Sequence, residues 1–147
     1  MSLKEPHLKM SKSHLDPRSR IHINDSQEDI ACKIRQALTD SIHNITYDPA
    51  NRPGISNMLD LVSCFHEEGK AAPQIAEECH DMRMREFKDY VTRSLDRGLA
   101  PIRERYFALI SDKNDEYLDD VVESGAITAQ LRARQMMERV RAVVGLV

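Results

Sequence analysis

The feature that most constrains the fold is a change of hydrophobic period near Asp25. Beyond it, apolar residues recur at spacings of three and four nearly to the end of the chain; before it, only Ile21-His22-Ile23 alternates. The first spacing buries one face of a helix, whereas alternation serves a strand. The chain is therefore read as all-α, a bundle of six or seven helices behind an irregular N-terminal arm. Trp is absent and aromatic residues make up only 5% of the 147, against 41% hydrophobic. The core must then be built from aliphatic side chains and methionine, and a chain this long buries roughly 70% of the surface its unfolded form exposes.

The boundaries follow from local chemistry. Asp25-Ser26-Gln27-Glu28 offers an N-cap with a carboxylate three residues on, and Ile30, Ile34, Ala37 and Leu38 share a face, which predicts a helix over about 27–40. Tyr47-Asp48-Pro49-Ala50-Asn51-Arg52-Pro53-Gly54 must turn irregularly. A second helix is predicted from about Ile55, capped by Ser56, with Met58, Leu59, Val62 and Phe65 on one stripe and Gly69 beyond its end. Pro73 opens a third that runs to about Cys79. Met84, Phe87, Tyr90, Val91 and Leu95 predict a fourth over about 83–97, closed by Gly98, and a fifth is expected from Pro101 to about Ser111. Asn114 is read as the cap of a sixth, closed by Gly125. The last, to about 144, sets arginines on one side and Ile127, Leu131, Met137, Val140 and Val144 on the other.

Composition removes several function classes. A net charge of −3 leaves no polybasic field, so a nucleic-acid contact has to come from a local basic face. Cys32, Cys64 and Cys79 are odd in number and irregularly spaced, which is neither a disulfide framework nor a zinc pattern. Cys64 and His66 are two apart and point to different sides of a helix, so with Cys79 and His80 they read as buried thiols and surface imidazoles; no protein-bound metal is expected. No apolar run reaches the roughly 20 residues that cross a bilayer.

Within the arm, Lys9-Met10-Ser11-Lys12-Ser13 places two lysines three apart among two small hydroxyl residues. Two ammonium groups, hydroxyls and backbone N–H donors on one pliable loop suit a polyanion such as a triphosphate. A solvated basic loop would have the same composition, so spacing alone leaves both readings open.

The string continues in register with others. Ser2-Leu3-Lys4-Glu5-Pro6, the Lys9–Ser13 loop, Ile21, Ile23 and Asp25, Lys33-Ile34 and Ala37-Leu38-Thr39-Asp40-Ser41 are followed by Tyr47-Asp48-Pro49 and Arg52-Pro53-Gly54-Ile55-Ser56-Asn57. Phe87-Lys88, Pro101-Ile102-Arg103-Glu104-Arg105-Tyr106 and Gly125-Ala126 come after them. Over essentially the whole chain this resembles the stretch of bacterial-type tryptophanyl-tRNA synthetases that runs from the KMSKS loop into the C-terminal helices. The loop belongs to a wider group of synthetases; the Thr39-Asp40-Ser41 and Arg52-Pro53-Gly54 elements favour the tryptophan enzymes over the tyrosine ones. Cys79-His80-Asp81-Met82-Arg83-Met84 departs from the family, which has a glycine- and aromatic-rich approach to Phe87-Lys88.

The resemblance implies an ATP-dependent ligase that makes tryptophanyl-adenylate and transfers the aminoacyl group to tRNA(Trp). Residues 1–25 would be the KMSKS segment of a Rossmann-type catalytic domain and 26–147 a helical tRNA-binding domain. Lys9 and Lys12 would hold ATP, accompanied by Mg2+, with Met10 and Ser11 supplying backbone and Ser13 anchoring the loop. Arg132, Arg134, Arg139 and Arg141, with Arg103 and Arg105, would face tRNA, although arginines on the polar side of amphipathic helices also simply stay solvated. A HIGH motif and a tryptophan pocket do not occur in these residues, so the stretch is expected to be inactive alone and homodimeric when complete. The His14–Ser19 segment and the cysteines point by analogy to the mitochondrial matrix, with the bacterial cytoplasm as the alternative. The competing reading of function is a non-catalytic helical module that binds RNA or protein.

Overall fold

The computed structural model describes residues 1–111 and 116–146. Among them are five α-helices, a short 3-10 turn at Pro17–Ser19 and no strand. The helices are α1 Gln27–Arg35, α2 Pro53–Cys64, α3 Ala72–Glu78, α4 Met84–Ser111 and α5 Glu116–Val144. The all-α expectation holds, with a count slightly below six or seven. The chain divides into two compact units, Met1–Arg105 and Tyr106–Val147.

The lower count has a physical origin in two glycines and a proline. Gly98 does not cap α4 but lies inside it, as Gly125 lies inside α5. A Cβ at Gly98 would overlap the Phe65 ring, so this glycine admits a neighbouring aromatic and leaves the helix running. Pro101 likewise sits within α4; it forfeits one backbone hydrogen bond, which the long helix tolerates. Asn114 lies outside the described residues.

In the first unit, α1 begins with a capping box one residue later than expected. Ser26 Oγ accepts Asp29 N at 3.1 Å and the Asp29 carboxylate accepts Ser26 N at 3.2 Å. The helix ends near Arg35 and not near 40, because its last carbonyls are taken by distant ammonium groups. Lys88 Nζ donates to Arg35 O at 3.0 Å and Ala37 O at 2.9 Å, and Lys4 Nζ to Gln36 O at 2.9 Å. Leu38 N then bonds Leu3 O at 2.8 Å, which leaves the Leu38 side chain 56% exposed and off the buried face.

Pro53 opens α2 two residues ahead of Ile55. Ser56 is inside the helix, where its Oγ accepts Asp48 N of the preceding turn at 2.9 Å. Gly69 has the left-handed φ of 64° expected of it, but in the connection beyond the end of α2. Pro73 occupies the first turn of α3 as expected.

Ile30, Ile34, Ile55, Leu59, Phe87 and Val91 are wholly buried, and Leu3 of the arm joins the same cluster. Each large aliphatic or aromatic side chain buried in this way contributes about 1.5–3 kcal/mol. The arm is thus packed on the helices that follow it.

In the second unit, α5 carries acidic Glu116 and Asp119 in its first turn and Arg141 in its last, matching the helix dipole. It closes in a Schellman arrangement: Gly145 has φ 72° and Leu146 N reaches Arg141 O at 2.9 Å. None of its residues is buried. Its apolar stripe of Ile127, Leu131, Met137, Val140 and Val144 is exposed.

Candidate functional site

The Lys9–Ser13 loop is framed on both sides. On the incoming limb, Ser2 Oγ accepts Lys4 N and Glu5 N, Ser2 N bonds Leu8 O at 2.7 Å, and Leu8 N bonds Glu5 O at 2.8 Å. Leu3 N reaches across to Ser19 O at 2.9 Å, tying the incoming limb to the outgoing one. Asn57 of α2 holds the start of the limb, accepting Met1 N at Oδ1 (2.9 Å) and donating from Nδ2 to Met1 O (3.1 Å).

At the loop itself, Met10 is partly buried against the core while Lys9 and Lys12 are exposed. His14 N bonds Ser11 O at 3.2 Å, a turn with Lys12 and Ser13 at its two central positions. Ser11 Oγ and Ser13 Oγ lie 3.1 Å apart in a hydrogen bond. Lys9 and Lys12 form no ion pair among the described residues. Lys12 at the turn corner and the exposed Lys9 ahead of it, with hydroxyls beside them, give one loop two ammonium groups to offer to an anion.

Three groups that sequence reasoning did not single out shape this turn. Arg20 Nη1 donates to both of its end carbonyls, Ser11 O at 3.3 Å and His14 O at 3.0 Å. His14 Nδ1 accepts Asp16 N at 3.0 Å, and its Nε2 lies 3.2 Å from Glu5 Oε1. Asp16 caps the 3-10 turn through Arg18 N and grips the Arg18 side chain, and these bonds hold its carboxyl at about 2. A sequence signal did exist: an irregular loop leaves carbonyls without helix partners, and an arginine within ten residues is the natural donor.

The Thr39-Asp40-Ser41 and Arg52-Pro53-Gly54 elements meet beside this arm. Arg52 is only 5% exposed and uses all five of its N–H donors. Nε and Nη2 pair with Asp40, Nη1 bonds Asn44 O at 2.8 Å and Thr46 Oγ1 at 2.7 Å, and Nη2 also bonds Ile42 O at 3.1 Å. The hydrogen bond from Arg52 keeps the Asp40 carboxyl below the usual carboxylate range. A Cβ on Gly54 would collide with Leu38 O, so this position admits only glycine at the crossing of α2 with the 38–41 segment. These residues shape the fold around the arm.

Arg132, Arg134, Arg139 and Arg141 are exposed on α5. Arg134 and Arg141 flank Met137 and Glu138 in a shallow groove of about 320 Å³. Arg103 differs from them, since its guanidinium donates to Asp25 O at 2.9 Å and Asp96 Oδ1 at 2.8 Å within the first unit. Cys79 is buried, which pushes its thiol up to about 11, whereas Cys32 and Cys64 are exposed.

Along its whole length the chain is 36% identical to the tryptophan–tRNA ligase of Rickettsia conorii, covering 43% of that protein. Over 99% of its length it is 34% identical to the mitochondrial tryptophan–tRNA ligase of Dictyostelium discoideum, covering 38% of it. The crystal structure of tryptophanyl-tRNA synthetase from Mycoplasma pneumoniae superposes on 71% of this chain and 34% of its own, with a TM-score of 0.53 and 26% identity. The chain thus spans about two fifths of the length of the relatives it matches. Residues 1–100 match the family model for class I tRNA synthetases (W and Y), and the chain belongs to that family.

Proposed function

We propose that these residues act as the C-terminal part of a tryptophan–tRNA ligase, with the Lys9–Ser13 loop as the ATP-phosphate clamp. The observation that supports it most is the loop itself: a turn with Lys12 at its corner, two exposed ammonium groups without an ion pair among the described residues, and a backbone held from both sides. In this reading a carboxylate oxygen of tryptophan attacks the α-phosphorus of ATP, and the bond to the bridging oxygen breaks to release pyrophosphate. Lys9 and Lys12 stabilise the charge that builds on the phosphates, so their contribution is electrostatic and positional. Mg2+ travels with the nucleotide.

The rest of the active site, including a HIGH motif and a tryptophan pocket, would come from a Rossmann-type catalytic portion, and residues 1–147 alone would be inactive. The exposed arginines of α5 would meet tRNA(Trp) in the complete, homodimeric enzyme. The resemblance to a mitochondrial relative and the His14–Ser19 segment support the mitochondrial matrix as the site of action, with the bacterial cytoplasm as the alternative. No described helix is long and apolar enough to cross a membrane.

The test is amino-acid-dependent exchange of pyrophosphate into ATP by the complete protein. Exchange that requires tryptophan and ignores tyrosine is the expected result. An absence of exchange with any amino acid, combined with retained RNA binding, would replace the enzyme by a non-catalytic helical module.

A further inference from the structure

We propose that Arg20 is a positioning residue that presets the Lys9–Ser13 loop for phosphate, acting through the loop backbone without touching the nucleotide; the proposal rests on the ATP-clamp reading above. The turn around Lys12 is closed by one backbone bond, His14 N to Ser11 O, and a single such bond at an exposed site is weak. Arg20 Nη1 reinforces it by bonding the carbonyls at both of its ends, Ser11 O and His14 O. The guanidinium is itself oriented, because Arg20 Nε donates to His22 Nε2 at 3.2 Å, and the residue is half-buried.

Across the mouth of the loop, the bond from His14 Nε2 to Glu5 joins the outgoing limb to the incoming one. The loop therefore has a braced base and a braced exit, and within it Lys9, Lys12 and Ser13 are exposed. A loop ordered before the ligand arrives does not charge that ordering to binding, and holds its ammonium groups where charge develops in the transition state. A guanidinium suits this position, since it satisfies carbonyls that would otherwise turn toward water and adds no negative charge near the phosphates.

The experiment is a double-mutant cycle of Arg20→Ala and Lys12→Ala in the complete ligase, read by tryptophan-dependent pyrophosphate exchange. Arg20→Ala is expected to lower kcat/KM for ATP by about ten- to a hundredfold and leave the KM for tryptophan unchanged. Since Arg20 works through the loop, the same change in the Lys12→Ala background should cost less than about threefold. Arg20→Lys, which keeps a cationic donor but loses the planar fork, should fall between the two; it also serves if Arg20→Ala fails to fold. An Arg20→Ala enzyme within about twofold of the parent, beside a crippled Lys12→Ala, overturns this inference and leaves the ATP clamp standing. Equal losses in both backgrounds would overturn it too, by showing that Arg20 acts independently of Lys12. A Lys12→Ala enzyme with unimpaired exchange would bring down the clamp reading itself.

Discussion

Arg52 and Asp40 form a two-pronged ion pair, Nη2 to Oδ1 at 2.8 Å and Nε to Oδ2 at 3.0 Å, joining the turn before α2 to the segment after α1. Lysine cannot replace it, because an ammonium has three donors where Arg52 uses five. Arg52→Lys should destabilise the first unit by about 2 kcal/mol, less than the loss of a fully buried pair because Asp40 is a quarter exposed. Urea unfolding followed by circular dichroism measures this; an unchanged midpoint would show that the pair is dispensable.

The same pair gives stability a pH dependence. Asp40 has its carboxyl pKa lowered in the folded state by the hydrogen bond from Arg52, against an ordinary value of 3.8. A lowered folded pKa means that the contribution is fully present above 3.8 and is lost as the pH falls through the folded value. The parent should therefore be more stable than Asp40→Asn at neutral pH, and the gap should narrow steadily in acid below 3.8. A gap independent of pH would remove Asp40 as its source.

Three glycines should respond to alanine in different ways. At Gly54 the new Cβ meets the Leu38 backbone carbonyl and at Gly98 the Phe65 ring, whereas at Gly125 nothing lies within 4 Å. Gly54→Ala should cost more than about 2 kcal/mol, since backbone must move, and Gly98→Ala about 1–3 kcal/mol as Phe65 is displaced. Gly125→Ala should instead raise the helix content and favour α5 by about 0.5–1 kcal/mol. Thermal melts with circular dichroism separate the three; a stabilised Gly98→Ala would contradict the packing of Phe65 on α4.

How much of this was legible beforehand depended on distance along the chain. The all-α class, Pro73 at the start of α3 and the apolar faces of Ile30, Ile34 and Phe87 follow from neighbours within a few residues. The end of α1 does not, because Lys88 and Lys4 set it from far away in sequence. Gly98 misled for the same reason: as a local signal it marks a helix end, yet its cause is Phe65, 33 residues earlier by number. At the loop, the lysines and serines are visible as a string. The bonds from Arg20 and the Glu5–His14 brace are not, since they join irregular segments with no period to reveal them.

The arginines of α5 offer a separate test of RNA binding. Charge reversal of Arg134 and Arg141, which flank one groove, should weaken tRNA binding by the complete enzyme. It should also flatten the dependence of affinity on salt by about one unit of slope for each phosphate that is no longer neutralised. An unchanged slope would leave these residues as solvated surface.

The central claim is that Lys12, at the corner of its turn, stabilises the transferring phosphates. Lys12→Ala in the complete enzyme, assayed by tryptophan-dependent exchange of pyrophosphate into ATP, addresses it most directly. A loss of about two to three orders of magnitude is expected, the scale for removing one such donor; a loss below about fivefold would take Lys12 out of the transition state and contradict the clamp.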